Sequence, residues 1–422
     1  MRLVGRFGLI CARLATVGFL ITGAAACAAA SGSAPDAGAG SASVGAASAD
    51  AVGQPAFVTA APAVTNKNAR GSASPRAHAS ASATASGGAT VTGGGPLTAG
   101  NPSGGASIPS AALAVDTSDP THVIGDGSPA GCTSAAVVQA VAEGGIITFN
   151  CGPSPVTITM TATAKVVNTS HQVVLDGGGK VTLSGGGDTR ILYMNTCDPA
   201  QTYTTSDCWE QEWPQLVVQN ITMTDAYSDV QETKGSSYGG GAIFDEGGQL
   251  KVVNSVFTDD RCYASGPDLG GGAIRATGMD MSIPVYINGD TFTGNSCSNG
   301  AALSGLYANF QVYDSVMTDN KAIGDGANPA SSGTAGGGSG GAIYTDGDGY
   351  NLLIDGTTMT GNTAREGGGA IFYVVDADGG TLTIDNSTLS GNTSGAFQNA
   401  PGIFDEVNSV VTTPTESGSS VS

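Results

Sequence analysis

The sequence predicts an all-β solenoid, on the strength of two recurring phrases and the strand-like alternation between them. The first phrase is a small-residue strand start: Gly241-Ala242-Ile243, Gly272-Ala273-Ile274, Ala301-Ala302-Leu303, Gly341-Ala342-Ile343 and Gly369-Ala370-Ile371. The second couples an apolar residue and Thr or Ser to a nearby Asp or Asn: Phe257-Thr258-Asp259-Asp260, Phe292-Thr293-Gly294-Asn295, Met317-Thr318-Asp319-Asn320, Met359-Thr360-Gly361-Asn362 and Leu389-Ser390-Gly391-Asn392. From Ala242 to Ala370 the strand-start alanines are 31, 29, 40 and 28 residues apart. A phrase returning at such intervals marks units that bury their apolar faces only by stacking on neighbours. No helical periodicity runs through the units, which excludes leucine-rich and helical repeats.

Each unit contains recognisable strands. Leu250 to Phe257 and Leu382 to Leu389 alternate apolar and polar residues and end in polar turns. Gly-Gly before Ala-Ile marks a corner too tight for a large side chain. Asn or Asp after the second strand suits a left-handed or side-chain-capped turn. Coils stacked at about 4.8 Å would bring equivalent Asn side chains into a ladder along the axis. A solenoid end exposes core and open strand edges, and the amphipathic stretch Ser134 to Glu143 is expected to be a helix closing the N-terminal one.

The chain divides by composition. Arg2, Arg6 and Arg13, the apolar run Leu14 to Thr22 and then Gly23-Ala24-Ala25-Ala26-Cys27 read as a signal peptide over residues 1–27. Cys27 after three alanines is a lipoprotein acylation candidate, with ordinary cleavage near Ala26 as the alternative; Ala24 stands where Leu is usual. Residues 28–113 are Ala, Ser, Gly, Thr and Pro with few large apolar side chains, and read as a disordered tether. Its root-mean-square span would be roughly 50 Å. The solenoid domain is expected over 114–411 and a disordered tail over 412–422.

Three of the fifteen basic residues fall in the signal and three in the tether, against two acidic residues in the tether. That leaves nine basic and 33 acidic residues beyond the tether, a net of −24. Such a field repels nucleic acid. Calcium is one use for the acidity and a soluble secreted surface another. No segment has the Asp-x-Asp-x-Asp-Gly or Gly-Gly-x-Gly-x-Asp calcium pattern, so a calcium site would need ligands from separate coils.

Six cysteines remain beyond the signal: Cys132, Cys151, Cys197, Cys208, Cys262 and Cys297. An even count after a signal peptide implies disulfides, here with fifteen possible connectivities. Cys262 and Cys297 each lie five residues after the Phe of the second phrase. They share one register in successive coils and are expected to bond. Cys197 with Cys208 and Cys132 with Cys151 are the remaining pairs by proximity. A zinc site is the alternative, but no Cys-x-x-Cys or His-Cys spacing supports it.

Gly-Gly-Ala-Ile followed by Phe-x-x-Asn resembles the repeat pair of chlamydial-type polymorphic outer membrane proteins. The pattern is similar, more broadly, to right-handed parallel β-helix proteins of the pectate-lyase-like superfamily. Cys132 to Gly187, with its short helix and the turn Asp176-Gly177-Gly178-Gly179, resembles the opening of many secreted bacterial β-helix proteins. The resemblance covers roughly residues 120 to 408. It implies a single-stranded right-handed parallel β-helix on a cell envelope or outside the cell, and specifies fold far better than activity.

Signals for chemistry are sparse. Polygalacturonase-like enzymes of this fold use a Gly-His-Gly element, which this sequence lacks. Asp259-Asp260 resembles their paired aspartates but sits in the repeat turn. Arg261, Arg275 and Arg365 could serve as a lyase base, yet none is coupled to a carboxylate cluster in the sequence. Gly177-Gly178-Gly179-Lys180 is half a phosphate loop, broken by Val181-Thr182. His122 and His171 both lie before the repeats, and His171, in an expected early strand, reads as an ordinary packed residue.

The positive feature is an alternation. With Ile243, Ile274, Leu303, Ile343 and Ile371 inward, the next residues point outward: Phe244, Arg275, Ser304, Tyr344 and Phe372. Such aromatics can stack on the apolar faces of sugar rings, or simply on each other under a loop. Trp209 and Trp213 lie on a cysteine-bounded excursion with Glu210 and Glu212, and Ala322 to Gly341 lengthens one coil. The expected function is a monomeric, envelope-tethered, non-catalytic module that binds polysaccharide or a cell-surface glycan, touching membrane only through a lipid. The alternative is a polysaccharide lyase or glycoside hydrolase. Phe244, Arg275, Tyr344, Phe372, Trp209 and Trp213 are the candidate contacts. Metabolic labelling with a fatty-acid analogue should mark the parent and not Cys27→Ser; equal labelling of both, or of neither, removes the lipid anchor.

Overall fold

A computed structural model describes residues 90–91, 97–202, 205–231, 237–326, 336–377 and 379–422. The signal, Cys27 and the tether up to residue 89 lie outside the described residues. From Gln215 to Val407 six successive coils each pass through four strands, as in Gln249–Val253, Val256–Thr258, Arg261–Cys262 and Ile274–Thr277, and the coils before them lack the third. Stacked coils build sheets of ten, ten, six and nine strands, called here the first to fourth in the order the chain meets them. Pairing between coils is parallel throughout. The antiparallel exceptions are at the ends, where Thr90–Val91 joins Val156–Thr157 and Val410–Val411 folds back on Glu406–Val407. The chain is a parallel β-helix.

The repeat phrases fix the register. Ile243, Ile274, Leu303, Ile343 and Ile371 pair in succession in the fourth sheet. Phe257, Phe292, Met317, Met359 and Leu389 do so in the second. All ten are fully buried in one continuous core. Helix α1, Ser134–Glu143, starts where the Thr133 hydroxyl accepts from the Ala136 N–H (3.2 Å) and stops at Gly144, φ 78°. It sends Val137, Ala140 and Val141 into the first coils and packs on Ala164–Lys165.

A buried amide ladder runs beside this core. Asn295 Nδ2 donates to Asn320 Oδ1, Asn320 to Asn362 and Asn362 to Asn392, each at 2.9 Å. Each Oδ1 also accepts the rung backbone N–H of the coil before it, at 3.0–3.2 Å in these steps. A hydroxyl ladder follows the other end of the second sheet. There Asp290, Ser315, Thr357 and Ser387 N–H groups donate to Ser315, Thr357, Ser387 and Ser419 hydroxyls. Buried backbone polar groups at the corners are thereby satisfied.

Two boundaries differ from the compositional ones. Residues 97–113, assigned to the tether, lie along the rod. Asn101 donates from Nδ2 to the Gly356 carbonyl (2.8 Å), Ala106 N–H to Asp314 Oδ1 (2.9 Å), and Lys251 Nζ to the Ala111 and Leu113 carbonyls (3.1 and 2.8 Å). Hydrogen bonds from the coil turns hold this strap, so its lack of large apolar residues does not leave it free. The 412–422 tail likewise forms strands Thr415–Ser417 and Ser420–Val421 on the first and second sheets. The three disulfides are Cys132–Cys151, Cys197–Cys208 and Cys262–Cys297, with Cα separations of 5.7, 5.1 and 4.7 Å.

The ladder predicts one stability effect. Asn320→Ala would leave the buried Asn295 amide without its acceptor, at roughly 1–3 kcal/mol for each group left unpaired. Urea unfolding should show a lower midpoint with an unchanged slope; an unchanged midpoint would mean the ladder contributes nothing.

Candidate functional site

The face to be tested is the outer side of the fourth sheet. Alternation places Phe244, Arg275, Ser304, Tyr344 and Phe372 off the core in one column, as expected, with Tyr193 before them and Phe404 after. Their exposure differs from the expectation. Phe244, Arg275, Tyr344 and Phe372 are only 1 to 8 % exposed. Neighbouring rings stack, Tyr193 on Phe244 at 5.6 Å, Tyr344 on Phe372 at 5.0 Å and Phe372 on Phe404 at 5.3 Å. The Arg190 guanidinium lies 5.1 Å from the Phe244 ring centroid, Tyr238 covers Arg275 at 5.5 Å, and Phe397 meets Phe372 edge-on. Tyr238 and Phe397 come from excursions between the third and fourth sheets, and Arg190 from the turn just before Leu192–Asn195. Periodicity shows which way a strand residue points; it does not show what the loop before the strand lays over it.

Two other candidates are also taken up by the fold. Arg275 is almost wholly buried, donates from Nη1 to Ser304 Oγ and is not placed to meet a polymer lying on the face. Asp260 is completely buried in the amide ladder, and Asp259 occupies the turn at φ 57°. The resemblance to paired catalytic aspartates thus falls on a structural corner. Arg261 lies over the Tyr227 ring at 5.4 Å, away from the column. His171 meets Trp213, with ring centroids 5.1 Å apart. Among the described residues no group of three or more His, Cys, Asp or Glu could hold a metal ion.

What remains open is the rim where the fourth sheet turns toward the first. Trp209 and Trp213, on the excursion closed by Cys197–Cys208, are 37 and 41 % exposed. Trp209 Nε1 donates to Glu246 Oε1 at 3.0 Å, and Asn195 Nδ2 donates to the other oxygen of Glu246. Burial holds the Glu246 carboxyl above its usual range, an effect these two hydrogen bonds offset only in part. Three coils along, Tyr344 O–H donates to Asp346 Oδ2 at 2.9 Å. Burial, with Asp376 and Asp268 adding to it, lifts Asp346 to about 7.

Between these carboxylates stands Tyr307, which the repeat reading passed over. Gly247, Gly278 and Gly347 follow equivalent strand ends, and Tyr307 takes the same place in its coil. It holds φ 54°, a conformation costly for a residue with a bulky side chain, and its side chain is 38 % exposed. A Cβ added at Gly347 would lie 3.0 Å from the Tyr307 ring, and one at Gly278 would lie 3.0 Å from the Trp209 ring. Tyr307 therefore uses the glycine of the next coil as its floor, and Trp209 uses one two coils beyond the strand it follows. The sequence signal was a large residue in a glycine column.

Residues 356–373 match the Chlamydia polymorphic membrane protein repeat. The stretch holds both phrases, including ladder residue Asn362 and core residue Ile371. No curated protein and no solved structure matches the chain.

Burial makes the column a packing layer whose truncation costs stability. Tyr344→Ala and Phe372→Ala should destabilise by about 3–5 kcal/mol, while Trp209→Ala should leave the melting temperature nearly unchanged. Thermal unfolding of the three variants followed by circular dichroism checks this. A column that melts like the parent would mean that these rings carry no packing.

Proposed function

We propose that the protein is a non-catalytic, envelope-associated adhesion module that binds carbohydrate along the rim formed by Trp209 and Tyr307. The matched repeat is described from membrane proteins of Chlamydia, which supports a cell-envelope or surface location. The residues ahead of Cys27 read as a secretory signal.

The observation that carries the binding reading is Tyr307. A left-handed Tyr weakens the coil relative to the glycine used at neighbouring levels. Tyr307 and Trp209 each cover a glycine on one side, and Gly278 and Gly347 are two coil steps apart, roughly 10 Å along the axis. Aromatic side chains with an apolar body suit the C–H faces of sugars, while the carboxylates of Glu246 and Asp346 can accept from ring hydroxyls. Trp213 extends the rim toward His171.

A polysaccharide panel scored for both retention and cleavage, with variants at the rim, tests this reading. Tyr307→Gly should melt at or above the parent temperature, because it removes the left-handed Tyr, yet should bind the retained glycan more weakly. Trp209→Ala should behave alike, with roughly 1–3 kcal/mol lost per anchor. Undiminished binding by both variants would move the site elsewhere. New reducing or unsaturated ends would replace the binding module with a hydrolase or lyase.

A further inference from the structure

The amide ladder begins on a residue that is not an amide. In four successive coils the rung Asn donates from Nδ2 to a carbonyl of the coil before it. Asn295 reaches Phe257 (3.2 Å), Asn320 reaches Phe292 (3.0 Å), Asn362 reaches Met317 and Asn392 reaches Met359 (2.9 Å each). Asp260 holds the same register one coil earlier. Its Oδ1 accepts from the Ala226 N–H (2.9 Å), and its own N–H donates to Asn295 Oδ1 (2.9 Å). Its Oδ2 stands where the other rungs carry Nδ2. That atom is fully buried and has no hydrogen-bond partner among the described residues.

Register identifies what Oδ2 faces. Met223 pairs with Phe257, so its carbonyl corresponds to the one that Asn295 reaches. The next rung presents Asn295 Oδ1, the equivalent of the oxygen to which each later Nδ2 donates. An ionised Asp260 would set its charge against two oxygen acceptors in a site closed to water, an arrangement costly enough to favour neutralising the acid. One proton on Oδ2 turns that repulsion into a donated hydrogen bond. We propose that Asp260 is held as the neutral acid, its proton serving as the missing ladder donor, and that this rung weakens the rod as pH rises.

Asp290, in the hydroxyl ladder, gives the contrast. It is equally buried, but its two oxygens accept from the Ser255 and Asn288 N–H groups, so both are occupied without a proton. The charged and titratable groups around Asp260 do not offset its charge. Asp225 comes from the preceding coil and Asp259 from its own turn. Arg261 of that turn is exposed, reaching over Tyr227 toward the Gly187 carbonyl. The following coil presents Gly294, Asn295 and Ser296. Burial pushes the Asp260 carboxyl well above the usual range, and Asp225 and Asp259 push it further. The folded state thus keeps a proton that the unfolded chain releases. Its stabilising effect is complete below the unfolded carboxyl pKa and is lost as pH rises from there toward the folded pKa.

Asp260→Asn tests the proposal in the full chain, since it supplies the amide found at every later rung. The variant should melt about 2–4 °C above the parent at pH 8, with the gap closing at pH 4. The buried Asp245 carboxyl, also without a hydrogen-bond partner among the described residues, contributes to both pH profiles and cancels in their difference. An infrared difference spectrum of parent minus variant at pH 7 should contain a protonated-carboxyl stretch. A variant that fails to fold, melts lower at pH 8, or shows the same gap at both pH values would overturn the proposal. So would absence of the protonated-carboxyl band.

Discussion

The rod depends on the amide ladder keeping one register while the loops between its rungs vary. Asn295 and Asn320 are 25 residues apart, Asn320 and Asn362 are 42, and Asn362 and Asn392 are 30, yet the three amide steps are identical at 2.9 Å. An amide suits this position because it both accepts and donates. Its Oδ1 takes the backbone N–H of the coil before it while its Nδ2 passes the pattern to the next coil. Extra residues therefore cannot be absorbed at the ladder and must leave the coil elsewhere. Most leave between the third and fourth sheets, as after Ala322, while the excursion closed by Cys197–Cys208 leaves between the fourth and the first.

That outlet explains why the fourth-sheet column is closed. The excursions must come back to the Gly-Ala-Ile strand starts and in doing so cross the outer face of those strands. They bring Tyr238 over Arg275 and Phe397 against Phe372. The column becomes a second hydrophobic layer outside the core, and open surface is left at the opposite end of the strands. The rim around Trp209 and Tyr307 lies at that end.

How much of this was legible in the sequence follows from the same geometry. Residues repeated at fixed register carry the coil architecture, and the inward Ile243 column, the Cys262–Cys297 pair and the ladder could be read from them directly. The helix at Ser134 was legible from its own amphipathic pattern. Coverage of the outward column was not, because it depends on the path of loops whose residues do not repeat. The strap of residues 97–113 was missed for a different reason. Composition measures the apolar surface a segment could bury, whereas this one is fastened by Asn101, Ala106 and the carbonyls that Lys251 reaches.

The coils also act as an internal comparison set, since stacked positions share nearly the same backbone and environment. A residue that fits its column explains little beyond the fold. One that departs from it exposes a different constraint. Tyr307 puts a bulky side chain where the neighbouring turns use glycine, accepting left-handed strain for an exposed ring. Asp260 puts a carboxyl where later rungs use an amide, accepting a buried oxygen that only a proton can satisfy. One departure lies on the surface and the other in the interior, and their physical consequences differ accordingly. The surface departure leaves a ring exposed at the rim. The interior departure makes the rod's own hydrogen bonding respond to pH.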